Sequence, residues 1–192
     1  MNLLKLKQPN VAFIPDFLTA GDADDWLTLL TKSLNWRQDP ITLFGKTHLI
    51  PRLQSFIADN DVTYTYSGLT LIGTGFPTKL QRLKDAIEQR SGYCFNALLA
   101  NLYRDGNDHM GWHSDDEKEL GTDPIIASLS LGAERTFKLR DKQNKPHTIN
   151  YQLTHGSLLI MGQGVQTNWD HSLPKRRRVN DPRINLTFRQ IV

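Results

Sequence analysis

The chain has 192 residues, of which 39% are hydrophobic and 22% charged, and its formal net charge is +3. This length is enough to bury a substantial core, and we expect one domain over residues 1–192. The single cysteine, Cys94, excludes an internal disulfide framework, fits a reducing compartment and is expected to be a small buried residue. The modest positive charge is compatible with a nucleic-acid partner but does not by itself indicate one.

The N-terminal sequence MNLLKLKQPN has no apolar segment of the kind that a signal peptide needs. No stretch of the chain approaches the ~20 apolar residues of a membrane span. We therefore expect a cytoplasmic, monomeric protein with no membrane association.

Two helices are predicted in the first half of the chain. Apolar residues recur at near-helical spacing after the acidic sequence GDADD, which predicts a helix over residues 20–34. A second helix is predicted over residues 77–90, with Pro77 near its first turn and Gly92 just past its end. Both helices are expected to flank a sheet.

The pattern changes to short β-like runs from Phe95 onward. Turn clusters such as DGND and VNDP separate these runs, which are FNALLANLYR, IIASLSLG, ERTFKLRD, HTINYQLT, SLLIMG, TNWDHSL and RINLTFRQIV. The alternation predicts a mainly β fold with flanking helices, although periodicity alone does not distinguish a jelly roll from another β-barrel. Residues 93–192 are the expected β core, and residues 1–92 an N-terminal extension.

The sequence GWHSDDEKEL places His113 and Asp115 one residue apart, so that on an extended strand both side chains project from the same face. A third ligand is available in TNWDHSLP, where His171 stands near the end of another apolar run. Two imidazoles and one carboxylate that leave coordination positions open form the facial triad of non-haem Fe(II) oxygenases. Zinc hydrolases use a similar set, so these residues alone do not identify the metal.

Four polar side chains can share one face of the C-terminal run RINLTFRQ: Arg183, Asn185, Thr187 and Arg189. Two arginines inside a small barrel are costly unless they bind anions, and a dicarboxylate would satisfy both. The alternative is that one or both arginines lie on the solvent face, which the neighbouring triad disfavours.

Together, the His113-x-Asp115 pair, His171 and the run RINLTFR resemble the AlkB family of Fe(II)- and 2-oxoglutarate-dependent nucleic-acid dealkylases. NLYRDGNDHMGWHSDDEKEL is also similar to the family's segment around the iron ligands, and HGSLLIMG to its later core strand. The resemblance covers about residues 44–192. It implies a double-stranded β-helix, which is a jelly-roll barrel.

The resemblance implies roles for individual residues. His113, Asp115 and His171 would bind iron and form the catalytic centre, and Arg183 and Arg189 would bind the carboxylates of 2-oxoglutarate. Further hydrogen bonds to this cofactor would come from Asn101, Tyr103, Asn185 and Thr187. Asn101 and Tyr103 stand two residues apart and share a strand face, although Tyr103 also fits a core aromatic.

The implied reaction uses O2 to oxidise 2-oxoglutarate to succinate and CO2 and to hydroxylate an N-alkyl group on a base, after which formaldehyde leaves. Lesions of this family include N1-methyladenine and N3-methylcytosine, which are cationic. Asp116 and Glu117 are predicted to favour such lesions by Coulomb attraction. The alternative is that the acids of this loop are simply solvated.

The segment VTYTYSG is predicted to contact the flipped base. It places Tyr64 and Tyr66 at strand spacing, and an extruded base needs an aromatic platform. Tyr66 resembles the family's stacking residue, with Tyr64 and Ser67 lining the pocket. By composition alone, an ordinary β-rich core would explain such a run nearly as well as a base-binding role.

The segment LFGKTHLIPR resembles the hairpin of the family's duplex-DNA branch. Phe44 would be the wedge that fills the gap left by a flipped base, with Lys46 and Arg52 beside it. The run KRRR at residues 175–178 follows the distal histidine and is expected at the cavity rim, where phosphates would approach.

These features favour a dealkylase that repairs alkylated DNA, as duplex or single strand. An RNA demethylase of the same family stays open, because a contact to the 2′-hydroxyl group is not readable from sequence. A non-catalytic nucleic-acid-binding module is a further alternative, disfavoured by the intact triad and both arginines. An oxygenase of a free small molecule would have no use for KRRR or the Phe44 hairpin.

Overall fold

Two antiparallel sheets form the body of the protein, which a computed structural model describes at residues 8–43, 46–66 and 69–192. The larger sheet has six strands in the order β1 (Val11–Ile14), β12 (Leu158–Met161), β9 (Ile126–Gly132), β14 (Arg183–Arg189), β7 (Ala97–Tyr103) and β4 (Leu53–Ala58). The smaller sheet has the order β11 (Thr148–Leu153), β10 (Arg135–Asp141), β13 (Trp169–Leu173) and β8 (Met110–His113).

Two hairpins and three helices complete the described chain. The hairpins are β2 (Pro40–Leu43) with β3 (Lys46–Leu49), and β5 (Thr63–Tyr66) with β6 (Leu69–Ile72). The helices are α1 (Ala20–Ser33), α2 (Thr78–Ser91) and the single turn α3 (Val165–Asn168), and a 3-10 turn covers Lys118–Leu120. Within the described ranges, no helix combines the length and the apolar character needed to cross a membrane.

Both predicted helices are confirmed, and local chemistry explains their ends. α1 begins after Thr19, whose side-chain oxygen accepts a hydrogen bond from the backbone N–H of Asp22. α2 ends at Gly92, which adopts the left-handed conformation with φ of 78° that a side chain would disfavour. The apolar faces of both helices pack on the outer side of the larger sheet.

Two of the three apolar clusters among the described residues divide the core between the layers. The outer cluster joins Leu30 of α1 and Ile87 of α2 to the sheet residues Leu129, Leu186 and Phe188. The inner cluster lies between the sheets and is built from residues of both: Tyr103, Ile126, Phe137, Leu139, Leu153, Leu159, Met161, Val165, Trp169 and Leu173. Burial of each large apolar side chain stabilises the fold by about 1.5–3 kcal/mol, so the two clusters hold the helices and both sheets together.

The seven β-like runs after Phe95 each contain a strand of the structure, which confirms the mainly β prediction. β1 and β4 come from residues 1–92 and form the two edges of the larger sheet, so this part contributes strands as well as helices. The expectation that Cys94 is buried was wrong. Cys94 lies in the connection between α2 and β7 and is exposed to solvent.

Candidate active site

A polar cavity opens between the sheets, where apolar core residues give way to charged and amide side chains. β7 and β14 of the larger sheet and β8 and β13 of the smaller sheet all contribute to its wall. The lining residues are Arg52, Leu99, Asn101, Tyr103, Met110, His113, Asp115, His171, Asn185, Thr187 and Arg189. The cavity therefore brings the predicted metal ligands and most of the predicted cofactor residues together.

The three predicted metal ligands converge in this cavity. One donor atom from each of His113, Asp115 and His171 lies within 4.8 Å of the others. His113 Nε2 lies 3.7 Å from Asp115 Oδ1, and the two imidazole rings have centroids 4.1 Å apart. His171 of β13 pairs directly with His113 of β8, so the hydrogen-bonded pairing of these two strands fixes the distance between the two imidazoles.

Asp115 lies just beyond β8, which ends at His113, and side chains from other elements hold it in place. Its backbone N–H donates to Gln166 Oε1 at 3.0 Å, and its Oδ2 accepts a hydrogen bond from Arg189 Nη2 at 3.0 Å. Burial alone would raise the pKa of the Asp115 carboxyl, but Arg189 and the two histidines outweigh it and keep that pKa well below its usual range. Asp115 is thus an ionised carboxylate with Oδ1 directed at the histidines.

Both histidines are suited to be neutral ligands. His113 Nδ1 lies 2.9 Å from the carbonyl oxygen of Gly111, which can only accept, so Nδ1 carries the proton and Nε2 is left as a ligand atom. Burial and the neighbouring His113 lower the pKa of His171 to about 3. Within the described part of the chain, Nδ1 of the buried His171 has no hydrogen-bond partner. This donor set fits Fe(II), with zinc as a chemically similar alternative.

The two arginines of β14 are buried, as predicted. Arg183 Nη2 donates to Asn185 Oδ1 at 2.6 Å and to Ser130 Oγ at 2.9 Å, and no carboxylate among the described residues pairs with it. Burial lowers the pKa of Arg183 to about 10. Among described residues, Nε of Arg183 and both Nε and Nη1 of Arg189 lack acceptors. Arg189 pairs with Asp115, but a buried guanidinium without an anion, as at Arg183, is costly, so the unsatisfied N–H groups of the two arginines fit the carboxylates of 2-oxoglutarate.

Amide and hydroxyl groups complete the predicted cofactor wall. Asn101 stands opposite Asn185 in the β7–β14 ladder, and both line the cavity with Tyr103 and Thr187. Asn185 Nδ2 donates to Thr187 Oγ1 at 2.8 Å. The alternative role of Tyr103 is also realised, since its ring packs in the inner core cluster and lies 5.4 Å from the Arg183 guanidinium carbon.

Arg52 and Tyr64 lie deeper than the sequence suggested. Arg52 is 3% exposed, lines the cavity and donates from Nε to Asn101 Oδ1 at 2.8 Å, so it is not on an outer DNA-binding hairpin. Tyr64 is 1% exposed, stacks on Phe56 with centroids 5.8 Å apart and faces Arg189. Burial raises the pKa of the Tyr64 hydroxyl well above its ordinary value. Tyr64 therefore supports the cavity wall from behind.

Asp116 and Glu117 point in different directions. Asp116 is exposed and accepts a hydrogen bond from Ser114 Oγ at 2.9 Å, and it lines a separate surface cleft with Lys142. Glu117 is half-buried beside Tyr64 and Arg189, and burial followed by the charge of Asp115 raises its pKa. Of the two predicted acids, only Glu117 is therefore close to the charged groups of the cavity.

The remaining predicted nucleic-acid contacts lie on the hairpins and on one loop. Phe44 and Ser67 are outside the described residues, and only the backbone of Lys46 and Tyr66 is described, in β3 and β5. The basic loop at residues 175–178 follows β13 and is exposed along its whole length. The loop leaves the strand that carries His171, as the sequence suggested.

Three functional residues were missed from the sequence. Ser128 donates to Asn185 Oδ1 at 3.0 Å, and Ser130 accepts from Arg183. Their signal was visible, because two serines at alternate positions of the apolar run IASLSLG mark a polar stripe on one strand face. Gln166 had no such signal, since its role depends on contact with Asp115, 51 residues away.

Comparisons with known proteins agree with this geometry. The 2OG-Fe(II) oxygenase superfamily matches residues 10–189. The mouse protein "DNA oxidative demethylase ALKBH2" is 45% identical over 159 residues, which are 79% of this chain and 66% of that protein. The human "Alpha-ketoglutarate-dependent dioxygenase alkB homolog 3" is 40% identical over 190 residues, 94% of this chain and 66% of that protein. The chain thus spans slightly less than two thirds of the length of these relatives.

A solved structure shows the same fold. The structure of OsALKBH1 matches with a TM-score of 0.68 and 19% sequence identity, covering 97% of this chain and 100% of that chain. Similarity at this identity concerns the fold, and it agrees with the expected arrangement of two facing antiparallel sheets.

Proposed function

Because the chain belongs to the 2OG-Fe(II) oxygenase superfamily, and within it to the AlkB family, we propose that it is a DNA repair dioxygenase. It removes methyl groups from N1-methyladenine and N3-methylcytosine in DNA. The reaction converts 2-oxoglutarate and O2 to succinate and CO2, and the methyl group leaves as formaldehyde. Relatives named as DNA oxidative demethylases support DNA as the substrate.

One observation carries the proposal: a His-Asp-His triad, with Asp115 and His171 buried and His113 partly exposed, shares its cavity with the buried Arg189, and the buried Arg183 donates to Asn185 of the same wall. Three neutral or anionic metal donors stand beside two buried guanidinium groups, and Arg183 pairs with no carboxylate among the described residues. This combination fits a metal that is chelated by an anionic co-substrate. A hydrolytic zinc site has no need for two buried arginines.

The residues of this chain have separable roles in the reaction. When bound, Fe(II) and 2-oxoglutarate supply the activation of O2 for oxidation of a C–H bond. Arg189 fixes Asp115 through Oδ2, so that Oδ1 stays directed at His113 and His171. Arg183 is held by Asn185 and Ser130 through Nη2, and its Nε–H is left to bind a carboxylate. Leu99 and Met110 provide the apolar part of the wall.

Duplex DNA is the favoured form of the substrate. The β2–β3 hairpin leads within three residues of its last strand residue, Leu49, to Arg52 in the cavity wall. Phe44 stands at the hairpin tip in the sequence, so a wedge there would be only a few residues along the chain from the site that receives the flipped base. The basic loop at residues 175–178 would contact backbone phosphates.

The test is mass spectrometry of matched single-stranded and duplex oligonucleotides that carry N1-methyladenine. Each is incubated with the protein, Fe(II), 2-oxoglutarate and air, with His113→Ala as the inactive control. We expect the mass change of one demethylation with the intact protein and none with the control. Preference for the duplex would support the wedge.

A matched RNA oligonucleotide separates the two nucleic acids. Faster demethylation of RNA than of both DNA forms would overturn the proposed substrate. Absence of demethylation on all three, with 2-oxoglutarate still consumed, would overturn the proposed reaction on nucleic acid. The cytoplasmic location, the monomeric state and the division at residue 92 stay predictions.

A further inference from the structure

We propose that Arg135 and Gly106 are positioning residues for nucleic-acid binding, because they hold the exposed basic loop at residues 175–178 in one preorganised conformation. This inference rests on the proposed function, since it assigns the phosphate backbone of nucleic acid as the partner of that loop. Neither residue would touch the phosphates. Both act on the backbone of the two loops that border the cavity, at residues 104–108 and 174–179.

The basic loop has charges that are free to meet a partner. All four of its side chains are exposed. Arg176 lies 3.9 Å from Glu134, with both side chains about half exposed, and such a pair is weak in solvent. Lys175, Arg177 and Arg178 form no ion pair with any residue in the described ranges.

Gly106 joins the two loops through their backbones. The N–H of Arg176 donates to the carbonyl oxygen of Gly106, and the N–H of Gly106 donates to the carbonyl oxygen of Val179, both at 2.8 Å. A further bond from Val179 N–H to Arg176 O, at 2.9 Å, closes the turn. A Cβ atom at position 106 would overlap the carbonyl oxygen of Arg176, so only glycine permits this approach.

Arg135 fastens the same two loops from below. It projects from β10 and is 1% exposed, and its guanidinium donates hydrogen bonds to three backbone carbonyl oxygens rather than to a carboxylate. Nη2 donates to Asp108 O at 2.9 Å and to Pro174 O at 2.8 Å, and Nη1 donates to Asp105 O at 3.2 Å. The bidentate pair of Arg104 with Asp108, at 2.8 and 2.9 Å, stiffens the first loop further.

Both loops follow strands that carry residues of the cavity wall. The first follows Tyr103, and the second starts at Pro174, three residues after His171. A base that enters the cavity therefore brings its own backbone to this rim. Ordering four long cationic side chains and their loop on binding costs free energy, and a backbone fixed in advance reduces that cost. Preorganisation here would raise affinity for nucleic acid without any added charge.

The test is a pair of charge-neutral variants, Gly106→Ala and Arg135→Lys, compared with Gly21→Ala. Position 21 lies on α1 with nothing within 4 Å of an added Cβ, so it controls for the glycine substitution itself. A charge-removing double variant, Arg177→Gln with Arg178→Gln, is compared with Arg82→Gln with Arg90→Gln, which removes two exposed charges from α2. Fluorescence anisotropy measures the dissociation constant for an unmodified oligonucleotide over a series of KCl concentrations.

We expect Gly106→Ala and Arg135→Lys to weaken binding and to flatten the logarithmic salt dependence, although the net charge stays at +3. The double variant in the loop should flatten the slope by roughly 1.4 for a single strand or 1.8 for a duplex, at about 0.7 or 0.9 per lost phosphate contact. The KM for the oligonucleotide should rise while the KM for 2-oxoglutarate and kcat are retained.

Two results would overturn the inference. One is a Gly106→Ala protein that stays folded by circular dichroism and binds the oligonucleotide like Gly21→Ala at every salt concentration. The other is a loop double variant with the same salt slope as the α2 double variant. Demethylation of a methylated trinucleotide by the wild-type protein tests the proposed function separately, because so short a substrate relies little on the rim.

Discussion

Asp115 lies beyond the end of β8, so side chains of other elements fix the direction of its carboxylate. Arg189 of β14 takes one oxygen, and Gln166 of α3 takes the backbone N–H. Lys142 secures this arrangement by donating to the Gln166 carbonyl oxygen at 2.7 Å and to Ser114 Oγ at 2.9 Å. The metal ligand thus depends on residues that do not reach the metal.

Replacement of Gln166 by methionine tests this dependence. Gln166→Met keeps the length of the side chain but removes the acceptor for the Asp115 N–H, so we expect affinity for Co(II) to fall about 10- to 100-fold, as for other residues that orient metal ligands. Isothermal titration calorimetry measures the affinity. The control is Gln163→Met, at an exposed glutamine in the connection that precedes α3. Equal affinities of the two variants would contradict a positioning role.

The two acids after the triad should differ in their effect on lesion choice. Glu117 is half-buried beside Arg189, whereas Asp116 is exposed and shares a cleft with Lys142. We expect Glu117→Gln to reduce the preference for cationic N1-methyladenine over a neutral methylated base, and Asp116→Asn to leave it nearly unchanged. Competition assays on mixed oligonucleotides give the ratio directly. The reverse order of effects would restore Asp116 as the discriminating acid.

At the scale of elements, β14 joins the catalytic site to the core. Its alternate residues from Arg183 to Arg189 face the cavity side, while Ile184, Leu186 and Phe188 pack in the outer cluster. The strand pairs with β7 on one side and β9 on the other. Every residue of β14 is buried, so the strand has no solvent-facing side.

Truncation of Phe188 should therefore be costly for stability. Phe188 is fully buried and contacts Phe95 with ring centroids 6.2 Å apart. We expect Phe188→Ala to lower the free energy of unfolding by about 3–5 kcal/mol in urea titrations. Ile72→Ala, at a side chain 67% exposed, should change it by less than about 0.5 kcal/mol. Similar losses for the two variants would contradict the packing described for β14.

The elements that could be predicted from sequence are those with strong local signals. Helix periodicity and end signals located α1 and α2, and apolar runs between turn clusters located β7 and the strands from β9 to β14, whereas β8 lies outside those runs. β1 lies in a short apolar stretch that no turn cluster delimits, and only its pairing with β12 identifies it as a strand.

Side-chain direction was harder to predict than the elements. The polar residues of β14 were found because a strand alternates its faces. The same rule does not explain Asp115, which lies beyond the end of β8. Arg52 and Tyr64 are more deeply buried than expected, whereas Cys94 is exposed although it was expected to be buried. The burial of such residues depends on contacts with segments far away in the chain. Gln166 was missed for the same reason.

At the scale of the whole molecule, burial of the two cavity arginines has a cost that bound ligands should offset. Arg183 and Arg189 are buried with N–H groups that no described residue accepts. We expect Co(II) and 2-oxoglutarate each to stabilise the folded protein, by about 2.7 kcal/mol per ligand at a concentration near 100 times its dissociation constant. Differential scanning fluorimetry under nitrogen records the rise in Tm.

Two variants separate the contributions to this stabilisation. His113→Ala should lose the response to Co(II), and Arg183→Met should lose most of the response to 2-oxoglutarate. A Tm rise in His113→Ala equal to that of the wild-type protein would place the metal elsewhere.

Because β14 is buried on both faces, the register that packs its apolar residues is also the register that assembles the active site. A slip of one residue in the pairing of β14 would turn Arg183 and Arg189 toward the helices and Phe188 toward the cavity. Such a misfolded chain would bury bare charges among apolar side chains and would fill the cavity with an aromatic ring. Quality-control proteases remove unstable chains, so molecules that persist should be those whose β14 is in the register that also assembles the site.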